Sequence, residues 1–422
     1  MNWLNLFSFF QDPIIKTSLL GTLGMALSSS IMGALLFVRK RSLMGETLSH
    51  AAFPGVLLGS LTPFVFGLDP FTWNFYGMTA GGFIFALLGL KCVDWMEKKG
   101  KVKADSALTW TLASWMGWGV LIASIFQQTH PTEYRLSLLY LYGQVVTMTL
   151  IQAQIYAVFA LVVTCFITLT YPYLKWLYFD PTHARLLGFK ARLLELITFT
   201  LIVLTIILGI KSVGVVLMVG MLVGPPIAAR PWTIRFSTLI MTAALFGVLS
   251  ALIGALLSVK LSSQALSLPT GPIILLTTSF FCLLSLLFAP YQGLIMRLIR
   301  MQQFKLRCQM ENSLKQLWKN PVTDIKMPFY IEGLLKWKGF LSSDKKLSSK
   351  GVLEAEKIVR LHRLWEVYLV EHLGQRAEGV HQTAEELEHL FSPSLEKKLS
   401  SLLNNPELDP HHQPIPPRQE PL

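Results

Sequence analysis

The sequence predicts an all-α polytopic membrane protein of about nine transmembrane helices, followed by a small, mostly helical cytoplasmic domain with a reduced winged-helix segment. Three observations predict it. Of the 422 residues, 52% are hydrophobic and only 15% are charged, too apolar a mixture for an ordinary soluble chain. Met148–Tyr171 and Phe236–Val259 hold no charged residue, and each exceeds the roughly 20 residues that span hydrocarbon. Beyond residue 307 the chain turns hydrophilic, rich in Glu and His, with no apolar run long enough to cross a bilayer.

Taken in order, the apolar stretches place spans at 14–38, 48–67, 73–96, 106–126, 148–170, 193–210, 213–230, 236–258 and 271–290. No basic segment precedes the first apolar run, which predicts a retained span and not a cleaved signal peptide. Arg39–Arg41, Lys91–Lys103, Lys175–Arg192, Arg230–Arg235 and Arg297–Arg307 fall on one side and carry 18 basic residues. The other side has only four, Lys16, Arg135, Lys211 and Lys260. The excess of positive loops puts the N-terminus outside and the C-terminal domain in the cytoplasm. The formal charge of +12 belongs to these loops, because residues 308–422 hold 15 basic and 16 acidic side chains, a net −1. Basicity therefore reports topology, not nucleic-acid binding. The basic loops 91–103 and 297–307 are expected to meet lipid head groups of the bilayer.

After the last span, Glu311–Lys319 reads as a short helix stopped by Asn320-Pro321, and Met327–Lys336 as a second helix with Pro328 at its start. Gly339–Leu347 resembles a short strand–turn–strand, and a long helix follows from about Ser349 to His372. Small helices, a hairpin and a helix fit a winged-helix pattern. Cys92, Cys165, Cys282 and Cys308 show no paired spacing and read as small apolar fillers, not disulfides or a zinc knuckle.

Polar groups inside spans are the first functional candidates, because burying them in lipid is costly. In Gly45-Glu46-Thr47-Leu48-Ser49-His50-Ala51-Ala52-Phe53-Pro54-Gly55, helical spacing puts Glu46 and His50 one turn apart on one face. A carboxylate and an imidazole so placed suit manganese, iron or zinc. Pro54-Gly55 is expected to weaken the helix just beyond, as in a discontinuous helix lining a translocation path. The alternative is a loop-end Glu and an interfacial His with no ligand. Phe179-Asp180-Pro181-Thr182-His183-Ala184-Arg185-Leu186-Leu187-Gly188 reads as a short helix in a basic loop closed by Gly188. The span beginning Val213-Gly214 is interrupted by Gly and Pro through Pro225-Pro226, a pattern tolerated at membrane depth only where protein or a cavity satisfies the backbone.

These segments, with Leu268-Pro269-Thr270-Gly271-Pro272, resemble the zinc/manganese/iron permease class of ABC transporters across nearly all of residues 14–295. The resemblance implies that Asp180, Ala184, Arg185 and Gly188 belong to a coupling helix for an ABC ATPase subunit. It also implies that Glu46 and His50 handle the metal, although many relatives carry Asp where this chain has Glu46. Implied partners are an extracytoplasmic metal-binding protein and a second permease copy or paralogue, in a bacterial inner membrane. No Gly-x-x-x-x-Gly-Lys-Ser/Thr loop occurs, so ATP hydrolysis by that machinery must come from a separate subunit.

In the tail, His362 and Glu366 are one helical turn apart. His381, Glu385, Glu388 and His389 then share one face of another helix. Such His/Glu sets suit first-row divalent metals, while the plain alternative is two amphipathic helices with solvated charged faces. Leu347–Gly351, Val359–Glu366, Val380-His381, Glu385–His389 and Asn405-Pro406 to Asp409-Pro410-His411, with Pro414-Ile415-Pro416, resemble the diphtheria-toxin-repressor family of metal-dependent repressors. The resemblance implies one metal site from His362, Glu366 and His381, and another from Glu385, Glu388 and His389. Asn312 falls where relatives supply an N-terminal Asp or Met ligand. The DNA-reading part is shortened around 319–330 and in the wing. Lys336, Lys338, Lys345 and Lys346 are its candidate contacts to promoter DNA, and the third, β domain of that family is not expected. The domains are read as a permease at 1–300, a linker at 301–310 and a reduced winged-helix-like segment at 311–355. A metal-sensing, dimerisation-like helical domain at 356–416 and a disordered 417–422 follow.

The leading expectation is a divalent-metal permease subunit whose fused tail responds to the same metal, by gating transport or by binding the promoter of the uptake genes. A membrane-tethered metal-dependent transcription regulator whose spans no longer transport is the alternative, and free access of the tail to DNA would require cleavage near Arg300–Lys319. An intramembrane enzyme has no supporting motif: no His-Glu-x-x-His, no Ser-centred nucleophile elbow and no Gly-rich nucleotide loop.

Overall fold

Long apolar runs leave the backbone no polar partner but itself, so the first part of the chain is helix joined by short connections. The computed structural model describes residues 13–67, 69–142, 148–186, 191–261, 269–320, 327–342, 344, 346–376, 379–387, 389 and 393–418. It divides into two units, one ending at Met296 and one starting at Arg297.

The first unit contains α1 (Pro13–Val38), α2 (Met44–Gly59), α3 (Thr62–Phe66), α4 (Pro70–Lys98), α5 (Ala104–Thr129), α6 (Pro131–Tyr142), α7 (Leu150–Phe179), α8 (Pro181–Leu186), α9 (Ala191–Val213), α10 (Val215–Ala229), α11 (Phe236–Leu261) and α12 (Thr270–Phe288). Among the described residues nine helical stretches are long and apolar enough to cross a membrane. Helix α1 is central, packing on α7, α10 and α11. Its Ser28, Ser29 and Ser30 hydroxyls donate back to the carbonyls of Gly24, Ala26 and Ala26, so a polar run sits satisfied in an apolar core. The division between the sixth and seventh spans falls at Gly214, whose φ of 86° favours glycine.

Two expected interruptions are corrected. Helix α2 runs through Pro54-Gly55 to Gly59 without breaking. The glycines there serve close packing: a Cβ on Gly55 would lie 2.2 Å from the carbonyl oxygen of Gly81 on α4, and one on Gly59 2.2 Å from that of Gly77. Small residues spaced by four on both helices let the backbones approach, and the helix is held by its neighbour. Pro225-Pro226 likewise sits inside α10 without ending it. Cys282 and Ser285 of α12 donate to the carbonyls of Gly224 and Ala228 beside them. The four cysteines are free thiols.

The second unit starts within α13 (Leu294–Lys319) and continues with α14 (Phe329–Trp337), α15 (Ser349–Glu371), α16 (Val380–Leu387) and α17 (Pro393–Leu402). The short helix expected at Glu311–Lys319 is the last part of α13, and residues 301–310, expected as a linker, are helical. Ile331 and Leu335 of α14 bury against Met310, Leu314 and Leu317 of α13. Among the described residues the expected strand–turn–strand is a single antiparallel bridge, Leu341 to Leu347, closed by the Ser342 N–H donating to the Lys346 carbonyl at 2.8 Å. Ser348 caps α15, its hydroxyl accepting from the Gly351 N–H. Buried Arg360 ties α15 to the end of the domain, donating to Glu396 at 3.1 Å, Ser400 at 2.9 Å and the Pro416 carbonyl at 2.7 Å.

Candidate metal centre

In the first unit, Glu46 and His50 are the only titratable side chains on α2, and both are half-buried. Between them Thr47 and Ser49 are buried and turn their hydroxyls to backbone, Thr47 towards Leu43 and Leu108 and Ser49 towards Gly45. Pro54 has no N–H, so the His50 carbonyl cannot receive the usual helical bond from that position. Glu46 lines a cleft of about 320 Å³ with Val219, Gly220 and Val223 of α10 and Leu275 and Thr278 of α12. At the turn expected to couple, Asp180 ends α7 and its carbonyl accepts from the Ala184 N–H in α8. Asp180 is exposed and Ala184 is buried. Gly188 lies outside the described residues, as does the side chain of Arg185.

In the second unit, the spacing of α15 stacks His362 over Glu366, both almost fully buried. Helix α16 brings His381 to them from the side. His362 Nε2 lies 3.2 Å from Glu366 Oε1, His381 Nδ1 lies 2.8 Å from the same oxygen, and the two nitrogens are 2.9 Å apart. Burial pushes the Glu366 carboxyl up, but hydrogen bonds from His362 and His381 outweigh it, holding the group at about 2. One ligand atom from each residue falls within a sphere where all lie within 4.8 Å of one another. Two imidazole nitrogens and a carboxylate oxygen, with His362 and Glu366 buried and His381 exposed at the rim, fit a first-row divalent ion.

The other tail candidates are spread more widely. His389 Nδ1 meets Glu311 Oε2 of α13 at 2.7 Å, and Arg307 Nε holds Glu311 Oε1 at 2.6 Å. Burial raises the Glu311 carboxyl, yet the bonds from His389 and Arg307 bring it below the usual carboxylate range. Glu385 is exposed, with Oε1 3.7 Å from Lys315 Nζ, and Glu388 lies outside the described residues. The resemblance pointed to Asn312, but it is Glu311 that faces His389. A second cluster joins Glu366 to Asp409 and His411, with His411 Nδ1 3.9 Å from Glu366 Oε2. Asp409 is engaged in closing its loop: Oδ1 accepts from the backbone N–H groups of His411 and Gln413, both at 2.8 Å, and Oδ2 lies 3.4 Å from Arg363.

Glu311 and Lys315 were not among the expected site residues, and Asp409 and His411 belong to the resembling Asp409-Pro410-His411 segment without having been expected as ligands. Arg307, Glu311 and Lys315 recur every four residues on one face of α13, which was the available signal. Of the candidate DNA contacts, Lys336 is tied to Glu332 at 2.8 Å, Lys338 and Lys346 are exposed, and Lys345 lies outside the described residues. The open face of α14 carries Phe329, Tyr330 and Trp337, two of them more than 80% exposed.

Residues 11–289 match the ABC 3 transport family, and residues 348–417 match the iron dependent repressor, metal binding and dimerisation domain. A "Probable metal transport system membrane protein" of Chlamydia trachomatis is 32% identical over 448 residues, covering 97% of each chain. "Manganese transport system membrane protein MntC" of Bacillus subtilis is 30% identical over 317 residues, covering 75% of this chain and 69% of that one. A solved structure described as "PsaBC from Streptococcus pneumoniae in complex with Fab" shares the fold, with a TM-score of 0.57 at 22% identity over 68% of this chain and 96% of that one. The chain belongs to the ABC 3 transport family, as a multi-pass membrane protein with a repressor-type metal-binding domain at its C-terminal end.

Proposed function

We propose that this family member is the permease subunit of an ATP-driven importer of a divalent metal, iron, manganese or zinc, and that its cytoplasmic tail binds the same metal and answers its concentration. The observation that carries the reading is the convergence of exposed His381 on buried His362 and Glu366, on a chain whose other unit belongs to the ABC 3 transport family. Glu46 and His50 pass the ion along the membrane path, Glu46 from the wall of its cleft. Asp180 to Gly188 engages a separate ATPase subunit, since the chain lacks a phosphate loop. An extracytoplasmic metal-binding protein delivers the ion, and a second permease copy or paralogue completes the path.

His362, Glu366 and His381 form one regulatory site, while His389 with Glu385 and Glu388 belongs to another that draws on Glu311. Nitrogen and oxygen donors serve all three metals. The Bacillus relative's name carries manganese and the repressor family's carries iron. Gating of transport is favoured over promoter binding by the exposed aromatic residues of α14, whose Lys336 is paired with Glu332, and by the tail's net −1. The continuous helix over Arg300–Lys319 likewise gives a protease no loop to cut.

The test compares metal accumulation in cells lacking the whole chain with cells lacking only residues 308–422. The reading expects uptake to collapse in the first and to persist without metal-dependent restraint in the second. Unchanged accumulation in the first would support a tethered regulator whose spans do not transport.

A further inference from the structure

Helix α13 places one cation where the regulatory centre needs an open donor. Lys315 is 5% exposed, and its Nζ lies 3.2 Å from Nδ1 of His362 and 3.7 Å from Oε1 of Glu385. An ammonium can only donate, so His362 Nδ1 accepts and the ring proton sits on Nε2. That Nε2 is the atom directed at Glu366 and His381, 3.2 Å from Glu366 Oε1. A metal held there needs the Nε2 lone pair, so the ring proton must pass to Nδ1, which in turn needs an acceptor opposite it. Lys315 presents a positive donor at that place instead.

We propose that Lys315 is a tethered cation that competes with the metal for the His362–Glu366–His381 centre, so that the ion binds only as Lys315 withdraws. This rests on the metal-binding reading of that centre. Two features of the geometry give the exchange a consequence. Lys315 spans from His362 on α15 to Glu385 on α16, so it clips α13 to both ligand-bearing helices. On the same face of α13, one turn earlier, Glu311 holds His389. Metal entry therefore exchanges an internal cation for an external one and loosens the hold of α13 on the domain. The lysine also sets a threshold: its local positive charge lowers the affinity of the centre, so occupancy awaits a higher metal concentration.

The experiment uses the purified full-length chain in lipid nanodiscs, carrying His50→Ala to silence the membrane pair, with Mn²⁺ as probe. Binding is followed by loss of the free Mn²⁺ EPR signal. Exposure of Lys315 is followed by pulsed acylation and mass spectrometry. Lys315→Met keeps an aliphatic stem without charge and is expected to tighten the centre about tenfold, whereas Lys315→Arg stays weak. In the chain that keeps Lys315, acylation at Lys315 is expected to rise as Mn²⁺ fills the centre, and His362→Ala is expected to abolish that rise. Unaltered affinity in Lys315→Met, or Lys315 staying protected while Mn²⁺ binds at His362, overturns the competition. If His362→Ala binds Mn²⁺ as well as its parent, the metal-binding reading itself has failed, and the competition with it. Should Lys315→Met not fold, the acylation measurement on the chain that keeps Lys315 still decides.

Discussion

The two regions that carry imidazole–carboxylate pairs are built differently. Glu46 and His50 lie one turn apart on a single helix, both half-buried, with Glu46 lining a cleft. His362 and Glu366 also lie one turn apart, but they are buried, and a third donor reaches them from another helix. A transported ion must be able to leave, so two half-buried donors on one helix suit a path where binding is favourable but weak. A sensing ion must stay long enough to be counted, so three donors from two helices suit retention. On the proposed function the same residue pair serves passage in one unit and holding in the other, and what differs is the tertiary setting.

Five substitutions break or sharpen that contrast. The largest effect is expected from His50→Ala, with metal uptake into cells falling on the order of 100-fold and Mn²⁺ affinity of the tail unchanged. Uptake at the parental rate would end the assignment of the membrane pair. Next, His362→Ala should weaken Mn²⁺ binding by the tail about 10- to 100-fold, read by EPR titration in nanodiscs, while initial uptake at low metal persists. A fall in both would show that the regions are not separable.

Two structural variants ask whether each pair depends on its own scaffold. Arg360→Ala strands Glu396 and the Pro416 carbonyl, and should cost about 3 kcal/mol of tail stability, seen as a lower melting temperature and early protease cutting beyond residue 348. Gly55→Ala drives a methyl group into the Gly81 carbonyl and should cost about 1–3 kcal/mol in the membrane unit, lowering uptake without altering tail affinity. By contrast Lys336→Ala, which removes an exposed i,i+4 pair with Glu332, should change the melting temperature by less than the equivalent of about 1 kcal/mol.

Much of this was legible in the sequence because it is local. A nineteen-residue apolar run such as Thr270–Phe288 has no soluble alternative. The break at Gly214 follows from the one residue type that takes positive φ without strain. The 46/50 and 362/366 pairs follow from helical periodicity alone. The proline signal misled at Pro54, because the close fit of α2 on α4 holds a helix that its own sequence would weaken.

By itself, then, the sequence determined which residues are neighbours along a helix, which stretches need lipid, and that nucleotide chemistry by a phosphate loop is absent. Only the tertiary structure decided which helices meet. It brought His381 to His362 and Glu366, chose Glu311 over Asn312 to face His389, and set the Lys315 ammonium against His362. The physical reason is that a 3.6-residue period specifies one helix's face completely. The partner of that face is set by side-chain packing between segments dozens of residues apart, which no local pattern encodes.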